Sequence, residues 1–263
     1  MTALEAIGWR PELAQPLAAS GEGLRAARVV LAERGAWRVS DGDSEESAVV
    51  TGRLRHGARR GELPVVGDWV AVQGGTIHAV LPRRTLLARR DADGSRIQAL
   101  VANVDTALVV MGLDGDFNLR RLERYLALIG AAGVRAAVVL SKPDLHPPGA
   151  RTGEVAAAAP GAAVLAVDLT ADVRSIAELL APRETAVLLG SSGAGKSTLL
   201  NALLGAPVQK TAPVRAHDSR GRHTTTRRQL FRLPAGALVI DTPGLRAVDP
   251  SQLARGDAPA RRR

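Results

Sequence analysis

The chain contains no cysteine, which excludes disulfides and any metal held by thiolates, zinc above all. Aromatic residues make up only 2% of it, so the core has to be built from Ala, Val and Leu, and any RNA partner must be held by charge and shape more than by base stacking. No apolar run approaches the ~20 residues that cross a bilayer, and the N-terminus lacks the basic-then-apolar layout of a signal peptide. A cytoplasmic protein with no membrane partner is expected. Lysine is scarce too: Lys142, Lys196 and Lys210 are the only lysines among 35 basic residues.

What is present is a chain of 263 residues, enough for one large domain or two smaller ones. Its net charge of +9 is unevenly spread: residues 207–263 carry 12 basic and 4 acidic side chains, whereas residues 91–206 carry 10 and 12. The excess lies around the nucleotide motifs described below and points to a polyanionic partner such as nucleic acid, the alternative being a solvated basic surface.

Residues 1–24 form a weakly patterned arm expected to be partly ordered. From Arg25 short β-like runs follow at regular spacing, "AARVVLAE", "AWRVSD", "SAVVTGRL", "DWVAVQ" and "TIHAVLP". Five short strands in about 60 residues predict a small closed barrel over 25–88, with an OB-fold leading and an SH3-like barrel as its rival. Beyond it the period changes. "DTALVVMGL" reads as a buried strand, and "NLRRLERYLALIGAAG" places Leu119, Leu122, Tyr125, Leu126 and Ile129 on one helical face. The strands "RAAVVLSKPD", "AAVLAVD" and "TAVLLG" alternate with helices at "TGEVAAAAP", "ADVRSIAELLAP" and "KSTLLNALLG". That alternation predicts an α/β domain with a parallel sheet over 89–248, followed by a disordered basic tail over 249–263.

"GSSGAGKS", Gly190 to Ser197, fits the P-loop pattern between an apolar strand and a helix. Backbone N–H groups of Gly190, Ser191, Ser192, Gly193, Ala194 and Gly195 close around phosphates. Lys196 bridges the β- and γ-phosphates, the Ser197 hydroxyl meets Mg²⁺, and Thr198 at the helix start completes the nucleotide-binding set. "LSKPDL" puts Ser141, Lys142 and Asp144 at the end of a strand. Guanine offers N1–H and an amino group to a carboxylate at Asp144; adenine does not, and this argues against an ATPase. The Lys142 stem covers the base. Ser141 stands where such motifs more often have Asn, a shorter brace for the P-loop that is expected to cost affinity. "VIDTPGL" supplies Asp241 for Mg²⁺ and the Gly244 N–H for the γ-phosphate, and in "GRHTTTRR" Thr225 or Thr226 brings a further hydroxyl to Mg²⁺.

Ordinary small GTPases run P-loop, switch threonine, D-x-x-G, N-K-x-D. Here Asp144 precedes Lys196, Thr225 and Asp241, so the order is circularly permuted. That order, with "QALVANVDTALVV", "DFNLRRLERYL", "VVLSKPDL", "LLGSSGAGKSTLLNALLG" and "GRHTTTRR", resembles the RsgA (YjeQ) family of GTPases that depend on the small ribosomal subunit, from about Arg25 to Arg246. The resemblance implies an OB-fold that contacts ribosomal RNA and a permuted Ras-like P-loop GTPase domain. It also implies GTP and GDP as ligands, Mg²⁺ as cofactor, and the 30S subunit with its 16S rRNA as partner late in maturation. A monomer is expected.

Three departures accompany it. The family usually continues into a helical module holding zinc through three cysteines and a histidine, which this sequence lacks. "AVDLTAD" puts Asp168 and Leu169 where a Ser-Ala turn usually meets the base. The tail "DPSQLARGDAPARRR" shares nothing with the family, as in a truncated or frameshifted product. Where Ras-like enzymes follow D-x-x-G with a water-orienting glutamine, Leu245 stands here. Slow intrinsic turnover that rises when a partner orders the site is therefore expected, with Lys196 and His223 as catalytic residues, His223 placing the water. The rival reading is an RNA-binding protein whose nucleotide site is degenerate.

Overall fold

A computed structural model describes residues 1–33, 35–57, 62–90, 97–146, 149–208 and 227–242. The barrel strands are β1 (Arg25–Ala32), β2 (Trp37–Ser40), β3 (Glu45–Val50), β4 (Trp69–Gln73) and β5 (Thr76–Val80). They run in the order β1-β2-β3-β5-β4 and close by pairing β4 back onto β1, with β3 and β5 parallel and the other pairs antiparallel. This Greek-key closure is an OB-like barrel and decides against the SH3-like alternative. The third run is a strand only as far as Val50; "GRL" belongs to the helix α3 (Gly52–Gly57), which sits between β3 and β4.

The barrel is fastened through "VVGDWVAV". The Asp68 carboxylate is fully buried, and Arg83 donates to it as a fork, Nε to Oδ1 at 2.8 Å and Nη2 to Oδ2 at 2.7 Å. Burial pushes this carboxyl up in spite of the fork. Gly67 has φ +93°, and a Cβ there would lie 2.1 Å from the Ala102 carbonyl oxygen, so no larger residue fits.

Residues 1–24 are more structured than their pattern suggests, as α1 (Ala3–Ala6), a 3-10 turn (Pro11–Leu13) and α2 (Ala14–Ala19). The reason is packing. Ile7 and Leu13 are buried, and Trp9 meets Trp69 edge-on, 4.9 Å between ring centroids.

A hairpin of β6 (Leu86–Arg90) and β7 (Ile97–Ala102) follows the barrel. The division expected at 88/89 falls inside β6. The α/β part contains β8 (Thr106–Gly112), α4 (Leu119–Ala131), β9 (Arg135–Ser141), α5 (Gly149–Ala158), β10 (Ala163–Ala166), α6 (Arg174–Ala177), β11 (Thr185–Leu189), α7 (Lys196–Leu204), β12 (Arg228–Arg232) and β13 (Leu238–Asp241). Strands β10-β9-β8-β11-β13 are parallel neighbours, and β12 runs antiparallel beside β13. Asn118 caps α4, its side chain accepting from the Arg121 N–H at 2.9 Å. Leu122, Tyr125, Leu128 and Ile129 face the core; Leu128 takes the place expected of Leu126, which is half-buried like Leu119. The helix expected over "ADVRSIAELLAP" shrinks to the single turn of α6, after which turns bury Leu180 and Pro182 prevents continuation.

The two parts share one sheet. β12 pairs with β1 through Leu31 with Gln229 and Ala32 with Arg228, and Arg227 bridges to Glu33 at 2.6 Å. Among the described residues no helix is long and apolar enough to cross a membrane. The expectations for 249–263 lie outside the described residues.

Candidate functional site

From β8 the chain goes on to β9, outward on one side of the sheet, and from β11 to β13 on the other, so the crevice beyond the ends of β8 and β11 is the sheet's switch point. Ligands of doubly wound folds bind at such points. Every residue of β11 is buried, and the chain turns directly into the phosphate loop. A Cβ on Gly190, at φ +143°, would lie 2.3 Å from the Val110 carbonyl oxygen of the neighbouring strand, so the loop presses onto β8 at its first residue. Gly195 precedes α7 at φ +103°, leaving the helix N-terminus facing the loop.

Lys196 is buried and turned back into this loop, its Nζ donating to the carbonyls of Gly190 at 2.9 Å and Ser191 at 2.6 Å. Burial lowers the pKa of its ammonium, and the negative charges of Asp241 and Asp116 act in the opposite direction. Ser197 and Thr198, on the first turn of α7, are half-buried. Asp241 ends β13, almost wholly buried, and the next residue, Thr242, donates its hydroxyl to the Leu188 carbonyl of β11 at 2.6 Å.

The base-reading segment is clamped onto the same loop. Ser141, at the end of β9, is fully buried and donates to the Ala194 carbonyl at 2.7 Å. The serine thus reaches the loop in spite of its short side chain, and a Cβ on Gly195 would be 3.4 Å from its hydroxyl. Lys142 follows at φ +58°, and its Nζ reaches the Gly193 carbonyl at 3.0 Å and Asp114 Oδ2 at 2.6 Å. Asp144 lies two residues on, exposed at the rim. The structure brings Ser141, Lys142, Gly193, Ala194, Lys196 and Asp241 into one constellation. Gly244, Thr225, Thr226 and His223 lie outside the described residues.

Sequence reasoning missed two carboxylates from the loop after β8. Asp114 pairs with Lys142; burial pushes its carboxyl up, but hydrogen bonds from Lys142 and the Asp116 N–H outweigh that and hold it below its usual value. Asp116 Oδ1 accepts from the Ser191 hydroxyl at 2.5 Å and from Arg121 Nη2 at 2.5 Å, so it supports the second residue of the phosphate loop. The available signal was their place, two acids just past a buried strand next to the P-loop strand. Asp168 is exposed, accepting from the Thr170 hydroxyl at 2.7 Å and the Thr170 N–H at 2.9 Å, while Leu169 is buried against Gly195.

Comparison with known proteins gives a consistent picture. The profile of the family described as RsgA GTPase matches residues 80–251. A small ribosomal subunit biogenesis GTPase RsgA from Opitutus terrae is 47% identical over 268 residues, spanning 92% of this chain and 72% of that protein. Proteins of the same description from Syntrophotalea carbinolica and Xylella fastidiosa are 44% and 45% identical, spanning 86% and 92% of this chain and 66% and 75% of their own lengths. Among solved structures, YjeQ from Thermotoga maritima aligns with a TM-score of 0.60 over 84% of this chain and 75% of that one, at 22% identity. YloQ, described as a circularly permuted GTPase, aligns at 0.56 over 87% and 74%, also at 22% identity. At that identity the likeness speaks to the fold.

Proposed function

Because the chain belongs to the RsgA GTPase family and is a GTP-hydrolysing enzyme, we propose that it binds GTP across the crevice between β8 and β11 and couples its hydrolysis to late maturation of the small ribosomal subunit. The observation that carries the reading is the clamp of Ser141 and Lys142 onto Ala194 and Gly193. It joins the segment presenting Asp144 to the loop that surrounds phosphates, so base and triphosphate are read as one ligand.

In this reading Asp144 accepts from guanine N1–H and its amino group, and the Lys142 stem covers the ring. Backbone N–H groups of Gly190 to Gly195 hold the phosphates. Lys196 exchanges its two carbonyl partners for the β- and γ-phosphates, a transfer favoured because those carbonyls compensate the buried ammonium only in part. The donor set fits Mg²⁺: the Ser197 hydroxyl and the Asp241 carboxylate are hard oxygen ligands, with Thr225 or Thr226 adding a third. When bound, the ion neutralises charge that develops on the phosphates. The Gly244 N–H meets the γ-phosphate, and His223 orients the attacking water. Relatives named for small ribosomal subunit biogenesis support the small subunit as the partner; contact of the barrel with 16S rRNA and a cytoplasmic monomer as the working form are part of the same proposal. An intact phosphate loop with a buried, correctly placed Lys196 disfavours the reading as an RNA-binding protein with a degenerate site.

The test is GTP turnover with and without 30S subunits, alongside co-sedimentation in GDP and in a non-hydrolysable GTP analogue. Turnover is expected to rise with subunits, and co-sedimentation to be stronger with the analogue and to weaken steeply with salt. Binding to subunits without measurable GTP binding would overturn the proposal.

A further inference from the structure

A second concavity lies at the opposite end of β8 and β11, where these strands begin. Its volume is about 210 Å³, and the arm, the barrel and the strand starts enclose it. Five arginines line it, Arg10, Arg28, Arg83, Arg84 and Arg183, against two acidic residues, Glu12 and Asp105. Arg83 is engaged behind the wall by Asp68. Asp105 cannot balance the rest. Its Oδ1 is shared by Arg10 at 3.1 Å and Arg84 at 2.5 Å, while its Oδ2 accepts from the Thr185 N–H at 2.8 Å.

Arg28 is the deepest of the five. It is fully buried and hydrogen-bonds neutral groups: the carbonyls of Ile7 at 2.5 Å, Gly67 at 3.4 Å and Asn103 at 3.4 Å, and the Thr185 hydroxyl at 2.8 Å. Burial pushes its pKa down to about 10, with Asp105 and Asp68 opposing. A buried cation surrounded by dipoles is stabilised further by an anion brought close to it. Arg10 and Arg84 are half-exposed and Arg183 is exposed, so their forks are accessible to a ligand entering from solvent.

We propose that this cavity binds a phosphate group, held between the guanidinium forks of Arg10, Arg84 and Arg183 above the buried Arg28. Guanidinium forks match the several oxygens of a tetrahedral oxyanion, and a surplus of cations suits a dianion better than a lone carboxylate. The volume is sufficient for one or two phosphoryl groups, a water molecule alone taking roughly 30 Å³. The site is separate from the phosphate loop. β8 runs from Thr106 to Gly112 between them, a distance of about 20 Å at the usual rise per residue. A ligand here bridges arm, barrel and GTPase sheet and favours the arrangement in which all three are docked. The source is either a small phosphorylated compound or the backbone of an RNA strand.

Pyrophosphate is the probe, titrated calorimetrically at constant ionic strength into full-length protein saturated with Mg²⁺ and GDP, and separately into Lys196→Ala. The second sample keeps the result independent of the nucleotide reading. One equivalent is expected to bind in both, raising Tm, with affinity at least about tenfold weaker in Arg84→Ala/Arg183→Ala, as loss of charged hydrogen bonds implies. Should that double variant fold poorly, Arg183→Glu changes an exposed position and is expected to abolish binding. An RNA oligonucleotide without terminal phosphates that displaces pyrophosphate identifies backbone phosphates as the ligand; failure to displace identifies a small phosphate compound. Absence of binding above the ionic-strength control, equal binding by the arginine variants, or loss of binding in Lys196→Ala overturns the proposal.

Discussion

The two ends of β8 and β11 both have the capacity proposed above to hold an anion, by opposite means. At the carboxyl ends it comes from backbone N–H groups, a helix start and one lysine, all within Gly190 to Lys196. At the amino ends it comes from arginine side chains delivered by the arm, the barrel, the segment entering β6 and the turn before β11. A backbone site is compact, and its lysine is held by two carbonyls of the loop itself. A side-chain site draws on distant segments and so also fastens them to one another. The first arrangement suits a ligand that is bound and released in a cycle, the second one that holds an assembly together.

Substitutions at the two ends should therefore separate activity from stability. The largest effect is expected from Lys196→Ala, which removes the charge that meets the transferring phosphoryl group: turnover should fall on the order of 10³-fold, while the urea midpoint of the nucleotide-free protein stays near that of the parent. Arg28→Met should do the reverse. It leaves the Ile7 carbonyl and the Thr185 hydroxyl without their arginine donor, while the Gly67 carbonyl keeps the Asn103 amide, at a cost of about 3 kcal/mol in chemical unfolding. Arg28→Lys should not restore the loss, because an ammonium cannot reach all these acceptors in one plane.

Smaller effects sharpen the contrast within the nucleotide end. Ser141→Ala removes the brace on the Ala194 carbonyl, and KM for GTP should rise about fivefold, roughly 1 kcal/mol, with kcat less changed. The smallest effect concerns acid. The Asp114 carboxyl is held below its usual value in the folded protein, so its pairing with Lys142 contributes fully above the unfolded-state pKa and is lost as pH falls through the folded one. Asp114→Asn should flatten the acid limb of stability below about pH 4 and leave the neutral range changed by less than about 1 kcal/mol, as read by thermal unfolding across pH.

How much of each end was legible follows from how each is built. The phosphate loop was readable because its glycines must stand at fixed spacing in one short stretch, and the barrel because its alternating runs recur at even intervals. The clamp was readable as a motif, but not its closeness: only the packing of Gly195 against Ser141 shows why a serine is long enough. Asp114 and Asp116 lacked a motif and gained meaning from the strand order that puts β8 beside β11. The arginine cavity was illegible. Residues 10, 28, 84 and 183 share no spacing, and nothing in the run "AARVVLAE" signals that Arg28 is among the most deeply buried side chains of the described residues.

The pairing of β1 with β12 also sets an order of events during synthesis. Leu31 and Gln229 are partners nearly two hundred residues apart in the chain, whereas every pair that closes the barrel lies between Arg25 and Val80. The barrel can form as soon as its own segment has been made, and the slow closure of so large a loop comes afterwards. Until then β1 keeps one edge open, and Arg28 lacks the Thr185 hydroxyl that later receives it. The joint between barrel and GTPase sheet is thus completed only once β12 has been made, long after the barrel's own strands.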